Sequence, residues 1–253
     1  MQLDAFLRSA ETYAPYASIT VLEDANNHKQ HALAYRSLRD RADDWWYTVG
    51  IEDVTRDFLA VHDRVVFHTD DDVFFQSWDG DVAGVTYEGD NAPPSTFTFR
   101  LGTNTTYCHP LGVEQEPPET DNDYAMNWRW CDGDLDFGYP LCLNGTVYRS
   151  ADLLPLLDFP FHNPTVLEAG LDYRKELFRP QWMTAPLRSC CVSLPHNRVS
   201  SSSGCLAGSN PEWQPDALLG KYLDGWRIDL DAMDFSDIRS AHQEVPLAFK
   251  KGA

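Results

Sequence analysis

The run Arg64-Val65-Val66-Phe67-His68-Thr69 reads as a strand, and it passes directly into Asp70-Asp71-Asp72. Three adjacent carboxylates are costly to bury together, because each disfavours the charge of its neighbours. The apolar run Val73-Phe74-Phe75 follows at once. The triplet is therefore wedged between two apolar segments, where the chain must present the acids at a strand end or hold a cation among them.

The segments before the triplet say what kind of sheet delivers it. Leu3, Phe6, Leu7, Ala10 and Ala14 fall on one face of a 3.6-residue period, so the chain opens in a helix that Pro15 ends. Ser18 to Leu22 reads as a strand, residues 28–40 as a polar helix, Tyr47 to Ile51 as a strand and residues 53–60 as a helix. Strands alternating with helices predict an α/β fold, a three-layer α/β/α domain with a mixed, mostly parallel sheet. Ligands of such sheets sit at the carboxyl ends of the strands, which is where the triplet falls. No linker divides the chain, so residues 1–253 are expected to form a single domain.

The second half is less regular. Val82–Tyr87 and Thr96–Leu101 read as strands, and residues 102–136 as a long loop rich in Asn, Pro, Asp and Glu. That loop carries Trp128 and Trp130, whose flat faces suit either stacking on a ligand or anchoring in the core. Asn144-Gly145 marks a turn between strands. Residues 151–157 read as a helix, and Asn163-Pro164 opens another, with Asn as cap and Pro in the first position. Cys190–Leu194 is a strand, Ser200–Gly204 a flexible loop, and Leu218–Leu223 a helix closed by Gly225.

Composition narrows the function classes. The formal net charge is −19, from 39 acidic and 20 basic residues. Such a surface repels the nucleic-acid backbone and anionic membranes. No apolar run approaches the ~20 residues that span a bilayer, and the first residues carry no secretory pattern, so a cytoplasmic location is expected. The six cysteines include no C-x-x-C pair and no zinc spacing, which fits free buried thiols. Asn104-Thr105-Thr106 and Asn144-Gly145-Thr146 match the glycosylation pattern by chance on this reading.

Candidate chemistry follows from the acids. Carboxylate oxygens suit Mn²⁺ or Mg²⁺, and such a cation offsets negative charge on a bound diphosphate. Glu168 lies near the start of the helix after Pro164 and is either a general base or an acid made comfortable by the helix dipole; Asp172, one turn on, is the fallback. Gly138 lets backbone approach a ligand or simply turns the chain. His242 is either an ordinary loop residue or, as a neutral imidazole, a metal ligand.

The ordered blocks "MQLDAFLRSAETY", "VVFHTDDDVFF", "FRLGTNTTYCHPL", "GDLDFGYPLCLNGTVYR", "CVSLPHNRV" and "RIDLDAMDFSDIRSAHQEVPL" cover most of the chain. With them the sequence resembles the GT-A nucleotide-diphospho-sugar glycosyltransferases, and more specifically a group of bacterial and phage glycosyltransferase-like proteins. The resemblance implies a GT-A (Rossmann-like) fold and transfer of a sugar, with a UDP-sugar expected as donor, to a saccharide or other hydroxyl acceptor. Asp70 and Asp72 match the two acids of the D-x-D motif. Asp72 is then expected to hold the metal and take part in catalysis, with Asp70 on the ribose or metal and Asp71 beside the donor. His242 resembles the late histidine that ligates the same metal, Glu168 the base of inverting enzymes, and Gly138 a donor-side glycine. GT-A domains begin with a strand that walls the base pocket, whereas this sequence opens in the helix that follows it; that strand is expected to be missing. Two alternatives stand beside this reading. One is a phage-type enzyme that glycosylates hydroxymethylated DNA bases, which the acidic charge opposes. The other is an inactive nucleotide-binding remnant or a partner of another transferase.

Overall fold

Helix α1, Gln2–Tyr13, turns its buried Leu3, Phe6 and Ala10 toward Phe74, Phe97 and Phe99. Its buried Ser9 adds a polar clamp. The hydroxyl donates to Phe6 O at 2.8 Å and accepts Phe74 N–H at 3.0 Å, which fastens the segment after the triplet to the helix. Asp4, also buried on this helix, is paired with Arg8 at 3.1 Å. The computed structural model describes residues 1–15, 18–22, 29–39, 46–47, 50–80, 95–120, 123–196 and 207–252.

Strand β1 (Val21–Leu22), helix α2 (Lys29–Arg39) and strand β2 (Trp46–Tyr47) form one β-α-β unit with its strands parallel. Helix α3 (Ile51–Val61) and strand β3 (Arg64–Val66) complete the alternating part of the sequence. Next come β4 (Asp72–Phe74), β5 (Ser95–Thr98), the short pair β6 (Tyr107–Cys108) and β7 (Val113–Glu114), β8 (Ala125–Arg129) and β9 (Thr146–Arg149). Helix α4 (Ser150–Leu153) and helix α5 (Pro164–Tyr173) precede β10 (Trp182–Pro186) and β11 (Cys191–Ser193). Helix α6 (Pro215–Leu223) and the hairpin-like pair β12 (Trp226–Ile228) and β13 (Phe249–Lys251) close the chain.

Among the described residues the principal sheet has five strands in the order β3-β9-β5-β10-β8. It is mixed, as expected, but mostly antiparallel: only β5 and β10 run parallel, while β3–β9, β9–β5 and β10–β8 are antiparallel. The expectation of a mostly parallel sheet came from the alternation of strands and helices, and that alternation ends at β3. The later strands arrive from turns and irregular segments, and antiparallel neighbours need no crossover helix. The architecture is therefore α/β in the general sense.

Other local expectations compare closely. Asn163 caps α5, its side chain accepting Val166 N–H at 2.8 Å, with Pro164 in the first position. Gly225, with φ +82, follows α6 in the left-handed region. The segment read as a long loop at 102–136 holds β6, β7 and β8, and β8 forms an edge of the principal sheet. Trp128 and Trp130 are accordingly core residues, 5% and 8% exposed, with their indole N–H groups donating to Phe137 O and Pro180 O. They offer no face to a ligand. The strand expected over Val82–Tyr87 and the loop Ser200–Gly204 lie outside the described residues.

Candidate functional site

The triplet does not continue the strand; it turns. Asp72 N–H closes on Thr69 O at 3.2 Å, so Thr69-Asp70-Asp71-Asp72 is a β-turn with Asp70 and Asp71 at its tip. Asp70 is exposed and Asp71 half-buried, whereas Asp72 opens β4 and is fully buried. The turn thus separates the two acids of the D-x-D pattern, sending Asp70 outward and Asp72 inward.

Asp72 is held from every side. His68 Nδ1 donates to its Oδ2 at 2.8 Å, and Thr69 N–H reaches the same oxygen at 3.3 Å. Asn144 Nδ2 donates to Oδ1 at 2.9 Å, and the Ser193 hydroxyl also bonds Oδ1. A carboxylate accepts about four such bonds, so the capacity of Asp72 is filled. Burial works to raise its pKa, but the hydrogen bond and charge of His68, with Ser193 and Asn144, overcome this and hold it below the usual value.

Asp71 is the opposite case. Burial and then the neighbouring carboxyls Asp72 and Asp70 push it up to about 7, against the hydrogen bond that Thr69 Oγ1 donates at 2.6 Å. A half-buried acid strained by its own neighbours is what a cation would relieve.

The other expected residues converge on this floor without forming one metal shell. Strand β11 pairs antiparallel with β4, Ser193 opposite Asp72, and His242 bridges Ser193 in parallel. Asp72, Ser193 and His242 therefore form a row across three chain segments. His242 is half-buried, its Nδ1 is buried without a partner, and burial followed by the charge of Arg100 lowers its pKa. Among the described residues, however, the cluster of His, Cys, Asp and Glu ligand atoms that all lie within 4.8 Å of one another is His68, Asp72 and Cys191, not Asp70, Asp72 and His242.

Glu168 reaches the floor from α5. It lies between the core residues Leu167 and Leu171, and its Oε1 accepts Leu143 N–H at 3.0 Å, one residue before Asn144. Burial raises its pKa, opposed by that hydrogen bond. Asp172 instead faces Lys175, at 3.1 Å. Gly138 serves the chain itself: a Cβ there would come within 2.5 Å of Gly133 O.

Three residues of the site escaped the sequence reading. Asn144, read only as a turn residue, joins Thr69 (2.6 Å) to Asp72; polar turn residues beside an acidic strand end are the signal. Ser193 follows from the β4–β11 register, which no local pattern reveals. Arg100 is 1% exposed and bonds Asp136 Oδ1 at 3.2 Å, Asp136 O at 3.3 Å and Tyr139 O at 3.1 Å. An arginine inside the apolar run Phe97–Leu101 was the visible sign of a buried ion pair.

A cleft of about 490 Å³ lies elsewhere, lined in part by Phe74, Phe75, Arg188 and Phe235. It begins two residues along β4 from Asp72 and includes none of the acids of the turn. No described helix is long and apolar enough to cross a membrane. Comparison with known proteins gives no matching family model and no matching curated protein.

Proposed function

We propose that the chain is a sugar-transfer enzyme using a nucleotide-diphospho-sugar, with a UDP-sugar as the expected donor and a hydroxyl acceptor. The observation that carries this reading is convergence. Asp70–Asp72, Glu168 and His242 come from distant parts of the sequence; His242 bridges Ser193, which bonds Asp72, and Glu168 accepts the N–H of Leu143, the residue before the Asp72 partner Asn144.

A hard divalent cation fits the turn tip rather than the floor. Mg²⁺-like ions are commonly held by one or two carboxylates together with substrate phosphates. Asp70 and Asp71 offer such a pair, whereas Asp72 has no acceptor capacity left. When bound, the cation would offset the charge on the departing nucleotide diphosphate. Asp72 then acts as the anchor that holds the turn open, through His68, Asn144 and Ser193. Glu168 takes the proton of the acceptor hydroxyl: burial raises its pKa above the ordinary carboxylate value, which makes it a stronger base, and Leu143 N–H fixes one of its oxygens.

The test is release of UDP from UDP-hexoses in the presence of Mn²⁺. Glu168→Gln is expected to slow release by about 10²–10⁴-fold, the usual worth of a general base, with UDP affinity retained. An unchanged rate in that variant removes Glu168 from the chemistry.

A second reading, a nucleotide-binding protein without turnover, is favoured by one observation: the expected ligand set Asp70, Asp72 and His242 does not close on a common point. UDP binding without release from any nucleotide-sugar would select it. A nucleic-acid acceptor is disfavoured by the charge of −19.

A further inference from the structure

The cleft of about 490 Å³ lies at the end of β4 remote from the acidic turn, and the sugar-transfer reading leaves it unused. Four stretches of chain build it: the end of α1, the residues from Phe74 to Gln76, the loop before β11 and the segment after β12. Its volume is in the range of small-molecule sites, where a few placed polar groups beside apolar walls fix the ligand. Phe74 and Met233, 4% and 8% exposed, are its buried members. Phe75 stacks on Phe235, with 5.5 Å between ring centres and 9° between planes.

The polar groups of the cleft are held in place, and each keeps bonding capacity that the protein does not use. Arg188 Nη2 donates to Ser236 O at 2.6 Å and to Phe235 O at 3.2 Å. A guanidinium has five N–H groups, so those on Nε and Nη1 are left over. The chain carries 39 acids, yet among the described residues none pairs with this arginine. Gln76 Nε2 donates to Ser189 O at 2.9 Å and to Arg188 O at 3.3 Å. Both amide hydrogens thus go to the backbone, and Oε1 remains as a bare acceptor. At the rim, Asp231 Oδ2 accepts from Lys250 at 3.3 Å, which offsets its charge and leaves Oδ1 to accept.

A complementary ligand carries an anionic group for Arg188, hydroxyl donors for Gln76 Oε1 and Asp231 Oδ1, and an apolar side for the aromatic wall. A sugar acid has all three. Its carboxylate forms charge-assisted hydrogen bonds with a guanidinium, its hydroxyls donate, and its C–H face is favourably buried against aromatic rings. A neutral sugar lacks the charge, and a simple aromatic acid lacks the donors. We infer that this cleft binds a saccharide unit bearing a carboxylate, of the hexuronic type. Arg188 holds the carboxylate, Gln76 and Asp231 read the hydroxyls, and Phe75 and Phe235 supply the wall. The site uses none of Asp70, Asp71 and Glu168, so it stands or falls independently of the sugar-transfer reading.

The experiment is titration of the whole chain, its methionine methyls labelled with carbon-13, with methyl glucuronoside, methyl glucoside and benzoate in turn. The chain has 4 methionines, and Met233→Leu assigns the signal that reports on the cleft. The expected result is a saturable shift of the Met233 signal with methyl glucuronoside. The glucoside and benzoate should each bind at least about 10-fold more weakly, the worth of a hydrogen bond to a charged group. Arg188→Gln should bring the glucuronoside down to the level of the glucoside, with circular dichroism verifying that the variant is folded. Should that variant fail to fold, the three probes on the unaltered chain decide alone. Asp70→Asn/Asp71→Asn, or addition of UDP with Mn²⁺, should leave the shift intact. A Met233 signal unmoved by methyl glucuronoside, equal binding of the glucoside or of benzoate, or displacement by UDP would overturn the assignment.

Discussion

Asn144 Nδ2 bridges Thr69 Oγ1 at 2.6 Å and Asp72 Oδ1 at 2.9 Å, so one turn residue fixes both ends of the acidic turn. Without it, Asp72 Oδ1 keeps only Ser193, and the β-turn loses its cross-brace. Leaving a buried acceptor short of a partner costs about 1–3 kcal/mol. Asn144→Ala is therefore expected to lower unfolding stability by about that amount in urea titrations, with nucleotide affinity falling as well. Unchanged stability would mean that the turn stands without the bridge.

The two inner acids of the turn have opposite pH signatures. The folded-state pKa of Asp72 is depressed, so its stabilisation is present above the unfolded value and is lost as pH falls through the folded value. That of Asp71 is raised from 3.8 to about 7, so its native state binds the proton more tightly. Stability then declines as pH rises from about 4 to about 7 and is flat above. Fully expressed, a difference of that size would be worth about 4 kcal/mol at 1.36 kcal/mol per pKa unit. Screening of a half-buried group reduces this to about 1–2 kcal/mol. Asp71→Asn should thus stabilise the metal-free protein by about 1–2 kcal/mol at pH 8 and have little effect at pH 4, measured by thermal unfolding at both pH values.

Arg100 and Asp136 form a buried ion pair, and Gln115 Nε2 donates to the other carboxylate oxygen of Asp136 at 2.9 Å. Breaking such a pair from one side leaves an uncompensated charge and costs about 3–5 kcal/mol. Arg100→Met should show that loss in denaturant titrations. Arg100→Met/Asp136→Leu should lose less than the sum of the two single variants, since the double change buries no lone charge.

How much of this was legible in the sequence differs by element. Helix α1, the cap at Asn163 and the stop at Gly225 rest on local rules, periodicity and capping, and the structure matches them. Sheet direction did not follow from local rules. The helix–strand alternation up to Val66 describes only β1-α2-β2 correctly as parallel; the direction of β9 and β8 is set by contacts far away in sequence. The segment at 102–136 looked like a loop because Pro, Asn and Glu dilute its short strands, and the buried Ala125, Met126 and Trp128 mark β8 as part of the sheet. At the site, the acids themselves were visible, but not their orientations. A turn of four residues decides that Asp72 points inward, and no spacing argument on D-x-D contains that information. His68 and Cys191, 123 positions apart, meet only because β4 and β11 pair.

Calorimetric titration of UDP into the chain, with and without Mn²⁺, tests for a nucleotide-sugar site at the tip of the acidic turn. Binding is expected to require Mn²⁺ and to be lost in Asp70→Asn/Asp71→Asn. Absence of binding in both conditions, or binding indifferent to Mn²⁺ and to the two substitutions, would contradict it.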